Sequence, residues 1–369
     1  MQIAFVDYTS WNYTPATAYQ APLGGSQSAL CYLSEQLALL GHDVRLFNGA
    51  SQVSISRGVT VTPLAKVSAA TWRELDVVVV QNWVKLGVEL NRRLRPDARL
   101  ILWTQHAHDQ PAVRALRAPD FRRAHDAFVF VSEWQRNEYL NAFAIDANRT
   151  VVLRNAIGPA FACQFLADEA ILAAKSDPPV LAYTSTPFRG LDVLLDAFPQ
   201  IRAAVPEVKL RVYSSMQVYQ MSPERDAQQY GELYHRCRNL PGVQYVGSMP
   251  QPDLAKELRR VSVLAYPNHF AETSCIAVME ALASGCRVVT SNLGALPETT
   301  AGFAELIAHG ASAETYRTEF AHAVIEALRQ AIDVSQTSET SLRQQVQWIN
   351  DHCTWKHRAL EWHNWLSRQ

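Results

Sequence analysis

The residues best suited to chemistry lie between 270 and 290, in the run FAETSCIAVMEALASGCRVVT. Two carboxylates, Glu272 and Glu280, stand eight positions apart there. The pattern predicts a helix from about Ser274, with Glu272 just before its amino end and Glu280 two turns in, ~12 Å further at 1.5 Å per residue. A gap of that length suits a nucleoside diphosphate. The N–H groups of Ser274, Cys275 and Ile276 would then face an anion, helped by the positive end of the helix dipole. Glu280 would accept hydrogen bonds from ribose hydroxyls, and Glu272 from hydroxyls of a group carried beyond the phosphates. The competing reading makes Glu272 a helix-start charge and Glu280 a solvated or paired surface residue. Against it, Glu280 is flanked by Met279, Ala281 and Leu282, and no other charge lies between Glu272 and Arg287. At least one carboxylate is therefore expected to face an enclosed polar site.

Two further places carry weaker signals. Gly24-Gly25 precedes a helical pattern, and glycine lets a backbone approach a phosphate closely, although an ordinary strand-to-helix turn reads the same way. The run WTQHAHD, residues 103–109, follows a strand pattern and puts His106, His108 and Asp109 where a cleft residue would sit. A histidine is more often structural than catalytic, and Asp109 reads equally as a turn cap or a group that fixes a tautomer. The aromatics Tyr8, Trp11, Tyr13 and Tyr19 read as a sugar-stacking cluster or as an ordered lid.

These residues need a scaffold, and the chain supplies an α/β one. Apolar runs rich in Val, Ile and Leu alternate with helical patterns, the signature of parallel sheets with crossover helices. Strands are predicted over 2–7, 43–48, 59–63, 75–81, 98–104, 127–131 and 150–154, then over 180–184, 209–213, 243–246, 261–266 and 287–290. Helices are predicted over 26–40, 191–204, 253–260, 276–284, 315–331 and 339–351, within a tail read as helical from Ala311 onward. A last helix over 355–367 carries Trp355, Leu360, Trp362 and Trp365 and is expected to dock on protein. The break after Asn155, running to Asp177-Pro178-Pro179, reads as a linker over 158–178. It divides a domain over 1–157, joined by the terminal helix of 353–369, from a second over 179–352. Two such sheets are expected to bring their strand ends to a shared cleft.

Composition narrows the partners. The chain has 369 residues, 48% hydrophobic and 19% charged, in the ordinary globular range. Its net charge of −1 offers no global field for nucleic acid or anionic membrane, so any anion must be held locally. The first basic residue is Arg45, which leaves the amino end without the basic flank of a signal peptide, and no run of about 18 apolar residues suggests a spanning helix. A cytoplasmic location is expected, with peripheral membrane contact left open. Six cysteines without a CxxC pair read as reduced, mostly buried thiols rather than metal ligands.

The segment from Glu272 to Val289, followed by Gly294-Ala295-Leu296-Pro297-Glu298, resembles the donor site of family-four retaining glycosyltransferases of the GT-B fold. Gly24-Gly25-Ser26-Gln27, Arg154-Asn155, Val246-Gly247 and the terminal Trp355–Trp362 helix agree in order and spacing over nearly the whole chain. The resemblance implies two Rossmann-like domains, a nucleoside-diphosphate sugar as donor substrate, no metal and no cofactor. It implies transfer to a glycan, a lipid-linked or another hydroxyl acceptor in glycoconjugate synthesis, with retention at the anomeric carbon. It places Arg189, Glu272 and His106 at the reacting centre, and Gly25, Thr186, Gly247, Met249, Ser274, Cys275, Ile276 and Glu280 around the donor. His108, Asp109 and Trp134 fall on the acceptor side. Two departures stand out: LAYTSTPFRG, residues 181–190, has Thr184 where the family usually has Arg, leaving Arg189 as the one cation, and Ser214-Ser215 replaces a glycine-rich turn. Alternatives within reach of the same fold are a nucleotide-sugar epimerase or a sugar-phosphate synthase, and a non-catalytic nucleotide-sugar or glycan-binding protein.

Overall fold

A computed structural model describes residues 1–310, 312–333 and 335–368. Ala311 and Gln369, two end points of the sequence reading, lie outside the described residues. The chain divides into two compact units. The first comprises residues 1–19, 25–156 and 355–368, and the second residues 20–24 and 157–354.

The first unit is built on eight strands: β1 (Gln2–Asp7), β2 (Asp43–Asn48), β3 (Ser54–Ser56), β4 (Val59–Pro63), β5 (Val77–Gln81), β6 (Arg99–Trp103), β7 (Ala127–Phe130) and β8 (Thr150–Val152). Their spatial order is β3-β4-β2-β1-β5-β6-β7-β8, parallel throughout except for the β3/β4 edge pair. The central strand β5 reads VVVVQ and is buried along its whole length, as expected of a parallel strand covered on both faces. The terminal helix Trp355–Ser367 packs on the helix Gly25–Leu39 of the same unit. Trp362 is fully buried, 5.4 Å from the ring of Trp103 and 6.4 Å from that of Phe5, whereas Leu360 turns to solvent.

The second unit holds β9 (Val180–Tyr183), β10 (Lys209–Val212), β11 (Val243–Tyr245), β12 (Val263–Tyr266), β13 (Arg287–Ser291) and β14 (Ala304–Ile307). All are parallel, in the order β11-β10-β9-β12-β13-β14. One apolar core runs beneath the sheet and its helices. The segment after residue 157 is bound into this unit. Lys175 Nζ donates to the carbonyls of Ser284 at 2.7 Å and Arg259 at 3.2 Å, and Glu339 accepts the N–H groups of Ile171 and Leu172 at 2.8 and 2.9 Å.

The sheets place twelve strands close to where the patterns put them and add two, β3 and β14. Both are short edge strands, whose half-exposed positions carry little hydrophobic signal. A long helix, Pro223–Asn239, was also not anticipated. It is polar along most of its length, with only Asp226, Tyr234 and Cys237 buried.

Candidate functional site

The cluster in the second unit begins with the turn after β9. Arg189 donates its backbone N–H to the Thr186 carbonyl at 3.2 Å, and Gly190 then starts the helix Leu191–Ala204 with φ at +103°. Only glycine fits there, since a β-carbon would overlap the Pro267 carbonyl oxygen. The turn delivers the Arg189 side chain to Glu272: Nη1 lies 2.6 Å from Glu272 Oε1. The guanidinium also lies over the Phe270 ring, 4.9 Å from its centre.

The same carboxylate oxygen accepts a second short bond. Tyr266, the last residue of β12, donates its hydroxyl to Glu272 Oε1 at 2.6 Å, and Ser185 Oγ lies 3.4 Å from that hydroxyl. Tyr266 and Glu272 are both almost fully buried. Burial works against the Arg189 cation, but the Glu272 charge beside it prevails and holds its pKa above the ordinary guanidinium value. Burial, with Glu272 adding to it, keeps Tyr266 in its neutral, proton-donating form. The Glu272 backbone is fixed from the other side: Ala295 N–H donates to its carbonyl at 2.7 Å. Gly294, at φ +60°, lies so close that a β-carbon would overlap that carbonyl oxygen.

The helix begins at Ile276, where the range predicted over 276–284 begins and two residues after the Ser274 start on which the amide assignment rested. It spans Ile276–Ala283 with Cys275 as N-cap, and the first turn closes through Met279 N–H to the Cys275 carbonyl at 3.3 Å. Of the three residues expected to lend amides, only Ile276 is helical; Ser274 and Cys275 precede it. Cys275 occupies the N-cap position and makes no side-chain cap.

Glu280 is buried, 3% exposed, so neither carboxylate is the solvated residue of the competing reading. It does not join the Arg189 cluster. Its Oε1 accepts from Gln251 Nε2 at 3.0 Å and from the Gly158 N–H at 3.2 Å. Burial pushes its pKa up to about 8, against the opposing pull of those two bonds. Neither Gly158 nor Gln251 was singled out in the sequence; they lie 122 and 29 positions away from Glu280, and no local pattern links them.

Beyond β10 and β11, Gly247 has φ at +82° with open space where a side chain would go, and Met249 is half-buried. Ser215 caps the short turn Met216–Tyr219 and shares a 2.6 Å hydrogen bond with Ser248. Ser214 is buried, and its carbonyl accepts from the Tyr245 hydroxyl at 2.9 Å. Asp226 braces the turn through Met216 N–H at 3.0 Å and holds the Tyr234 hydroxyl at 2.7 Å.

The remaining candidates belong to the first unit. His106 follows β6, and its carbonyl is pinned by Gln135 Nε2 at 2.8 Å and the Tyr139 hydroxyl at 2.9 Å. Burial lowers its pKa to about 4, which makes the ring neutral at pH 7. His108 Nδ1 faces the Glu138 carboxylate at 3.4 Å, so the acid beside it is Glu138. Asp109 is exposed and accepts Arg114 Nε through its carbonyl at 3.0 Å. Trp134 stands in the first turn of the helix Glu133–Ala142, half-buried, behind a Ser132 cap. Gly25 is the exposed first residue of its helix.

Residues 177–330 match the family described as glycosyl transferases group 1. No curated protein sequence matches the chain. Solved structures match over its full length. HepE from Anabaena, in complex with UDP and glucose, is 15% identical with a TM-score of 0.71, covering 100% of both chains. Sucrose-phosphate synthase from Thermosynechococcus elongatus is 17% identical, TM-score 0.67, covering 100% of this chain and 99% of that one. WaaG, a glycosyltransferase involved in lipopolysaccharide biosynthesis, is 14% identical, TM-score 0.65, with full coverage of both. No helix among the described residues is long and apolar enough to cross a membrane. The chain therefore has the GT-B fold of two Rossmann-like units, and its residues 177–330 carry the sequence pattern of the glycosyl transferases group 1 family.

Proposed function

We propose that the protein is a retaining glycosyltransferase that moves a sugar from a nucleoside-diphosphate sugar to an acceptor hydroxyl in glycoconjugate synthesis. The observation that carries this reading is the convergence of Arg189 and Tyr266 on buried Glu272, at the carboxyl ends of β9 and β12 and within the segment matched by the family. Open α/β sheets bind their ligands at such strand ends. Solved complexes of proteins with the same fold hold UDP, UDP-glucose and UDP-2-fluoro glucose, which supports a nucleotide-sugar donor.

In this reading the acceptor oxygen attacks the anomeric carbon on the face from which the diphosphate leaves, and a departing phosphate oxygen takes the acceptor's proton. No protein nucleophile and no metal is needed. Arg189 and the amides around Ile276 stabilise the charge that grows on the leaving group, and Glu272 meets hydroxyls of the transferred sugar. Glu280 meets the ribose. Its carboxyl is mostly protonated at pH 7, so it donates as well as accepts there. His106, neutral at pH 7, contacts the sugar as a hydrogen-bonding partner rather than as a cation. His108, Asp109 and Trp134 remain the acceptor-side assignment. The location is cytoplasmic.

The test is to incubate the protein with a panel of UDP-, GDP- and ADP-sugars and hydroxyl acceptors. Nucleotide release matched by a glycosylated product whose anomeric configuration equals the donor's is expected. Isomerised donor without acceptor would assign the chain to the epimerases instead, and turnover of no donor would contradict the enzyme reading.

A further inference from the structure

Buried hydroxyls without a hydrogen-bond partner among the described residues stand at the carboxyl edge of the second sheet: Thr290 and Ser291 end β13, while Thr186 and Ser214 follow β9 and β10 on the side of Arg189. Thr186 is 7% exposed and Ser214 1%, yet neither Thr186 Oγ1 nor Ser214 Oγ bonds to any group among the described residues. A buried hydroxyl left unpaired costs stability that an apolar side chain of the same shape would not. Two of them at one strand edge call for a ligand that repays the cost.

Their positions define that ligand. Strands β9 and β10 are neighbours, and the Tyr213 N–H bonds to the Tyr183 carbonyl at 2.8 Å, so both chains leave the sheet side by side. Ser214 follows directly on β10. Thr186 opens the turn that ends at Arg189, its own carbonyl held by the Tyr183 hydroxyl at 2.7 Å and by the Arg189 N–H. Arg189 is the one basic residue between Lys175 and Arg202, and much of its charge is answered by Glu272. An anion entering here meets little net positive charge, and neutral donors must supply what cations do not.

We propose that Thr186 and Ser214 donate their hydroxyl protons to the phosphate oxygens of a nucleoside diphosphate, forming with Arg189 a cradle in which hydroxyls stand in for a second cation. The inference rests on the nucleotide-sugar reading above and names two donors for it. It carries a signature that a structural role lacks: each hydroxyl weakens the free protein and strengthens the complex.

The experiment compares wild type with Thr186→Val and Ser214→Ala, measuring thermal melting without ligand and calorimetric titration with UDP, GDP and ADP. Each variant is expected to melt at or above the wild-type temperature and to bind the nucleotide that wild type selects about tenfold more weakly, the range for a lost bond to a charged group. Unchanged affinity in both variants, or a clear fall in melting temperature, would overturn the cradle and leave the nucleotide-sugar reading standing. Wild-type protein that binds none of the three would overturn both.

Discussion

Arg189 and Tyr266 meet on a single atom, each reaching Glu272 Oε1 at 2.6 Å from a different strand end. A carboxylate held by two short bonds, one of them to a cation, is fixed in orientation before any ligand arrives. The arrangement divides labour between charge and geometry, and the two parts can be removed separately.

Arg189→Ala deletes the cation and leaves the Glu272 charge buried and uncompensated, a loss of about 3 to 5 kcal/mol in comparable pairs. It is expected to cut transfer a hundredfold or more. Tyr266→Phe keeps the shape and the ion pair but frees Glu272 to rotate. Its expected effect is roughly tenfold, in kcat more than in KM. Steady-state kinetics on folded variants checks both, and near-normal turnover in Arg189→Ala would remove it from the site.

Glu280 makes the pH dependence distinctive. Its folded pKa of about 8 lies above the ordinary carboxyl value, so the protein carries no penalty from this group below about pH 4.5 and loses stability as pH rises toward 8. Glu280→Gln preserves the acceptor that Gly158 and Gln251 use while removing the ionisation. Thermal melts at pH 5, 7 and 9 are expected to show the variant gaining on wild type as pH rises, by on the order of a few kcal/mol at pH 9. Glu280→Ala, in contrast, should reduce transfer about a hundredfold. A gap between wild type and Glu280→Gln that does not change with pH would show that the carboxyl titrates normally.

How far the sequence reached is clearest at particular residues. The parallel sheets were legible because buried strands such as VVVVQ write themselves as unbroken apolar runs. The helix Leu191–Ala204 lies where its pattern put it, with Gly190 as the residue before its first turn. The burial of Glu272 and Glu280 was legible, since two charges stood alone in an apolar stretch. Tyr266 was not: at the end of β12 it looks like any strand aromatic, and only the fold brings its hydroxyl to Glu272. Gln251 and Gly158 were hidden for the same reason, as partners made by tertiary contact. The helix Pro223–Asn239 left signals that periodicity overlooks: a Ser222 cap, Pro223 in the first turn, Glu224 and Asp226 at its start, Arg236 and Arg238 at its end.

Two histidines of the first unit, His125 buried and His106 half-buried, give an acid-side counterpart. His106 and His125 both have pKa values lowered to about 4 by burial, so the stability they confer is complete above pH 6.5 and is lost as pH falls toward 4. Urea unfolding at pH 7, 6 and 5 is expected to show a slope of up to about 2.7 kcal/mol per pH unit from the pair. Proton NMR should place both ring titrations near 4, and midpoints near 6.5 would contradict the burial.

Gly190 links fold to site. Gly190→Ala combines an unfavourable left-handed backbone with overlap on the Pro267 carbonyl, and is expected to cost at least about 1 to 3 kcal/mol while displacing Arg189. Chemical denaturation measures the first effect. Nucleotide affinity of the surviving folded fraction measures the second, and wild-type values in both would mean that the turn relaxes freely.

The central claim is that this chain captures a nucleoside diphosphate with its own side chains and backbone amides. Calorimetric titration with UDP, GDP and ADP in buffer containing EDTA tests it most directly. Selective, saturable binding of one nucleotide, lost in Glu280→Ala, is the predicted result. Binding of none of the three by folded wild-type protein would contradict it and return the chain to the non-catalytic reading of the fold.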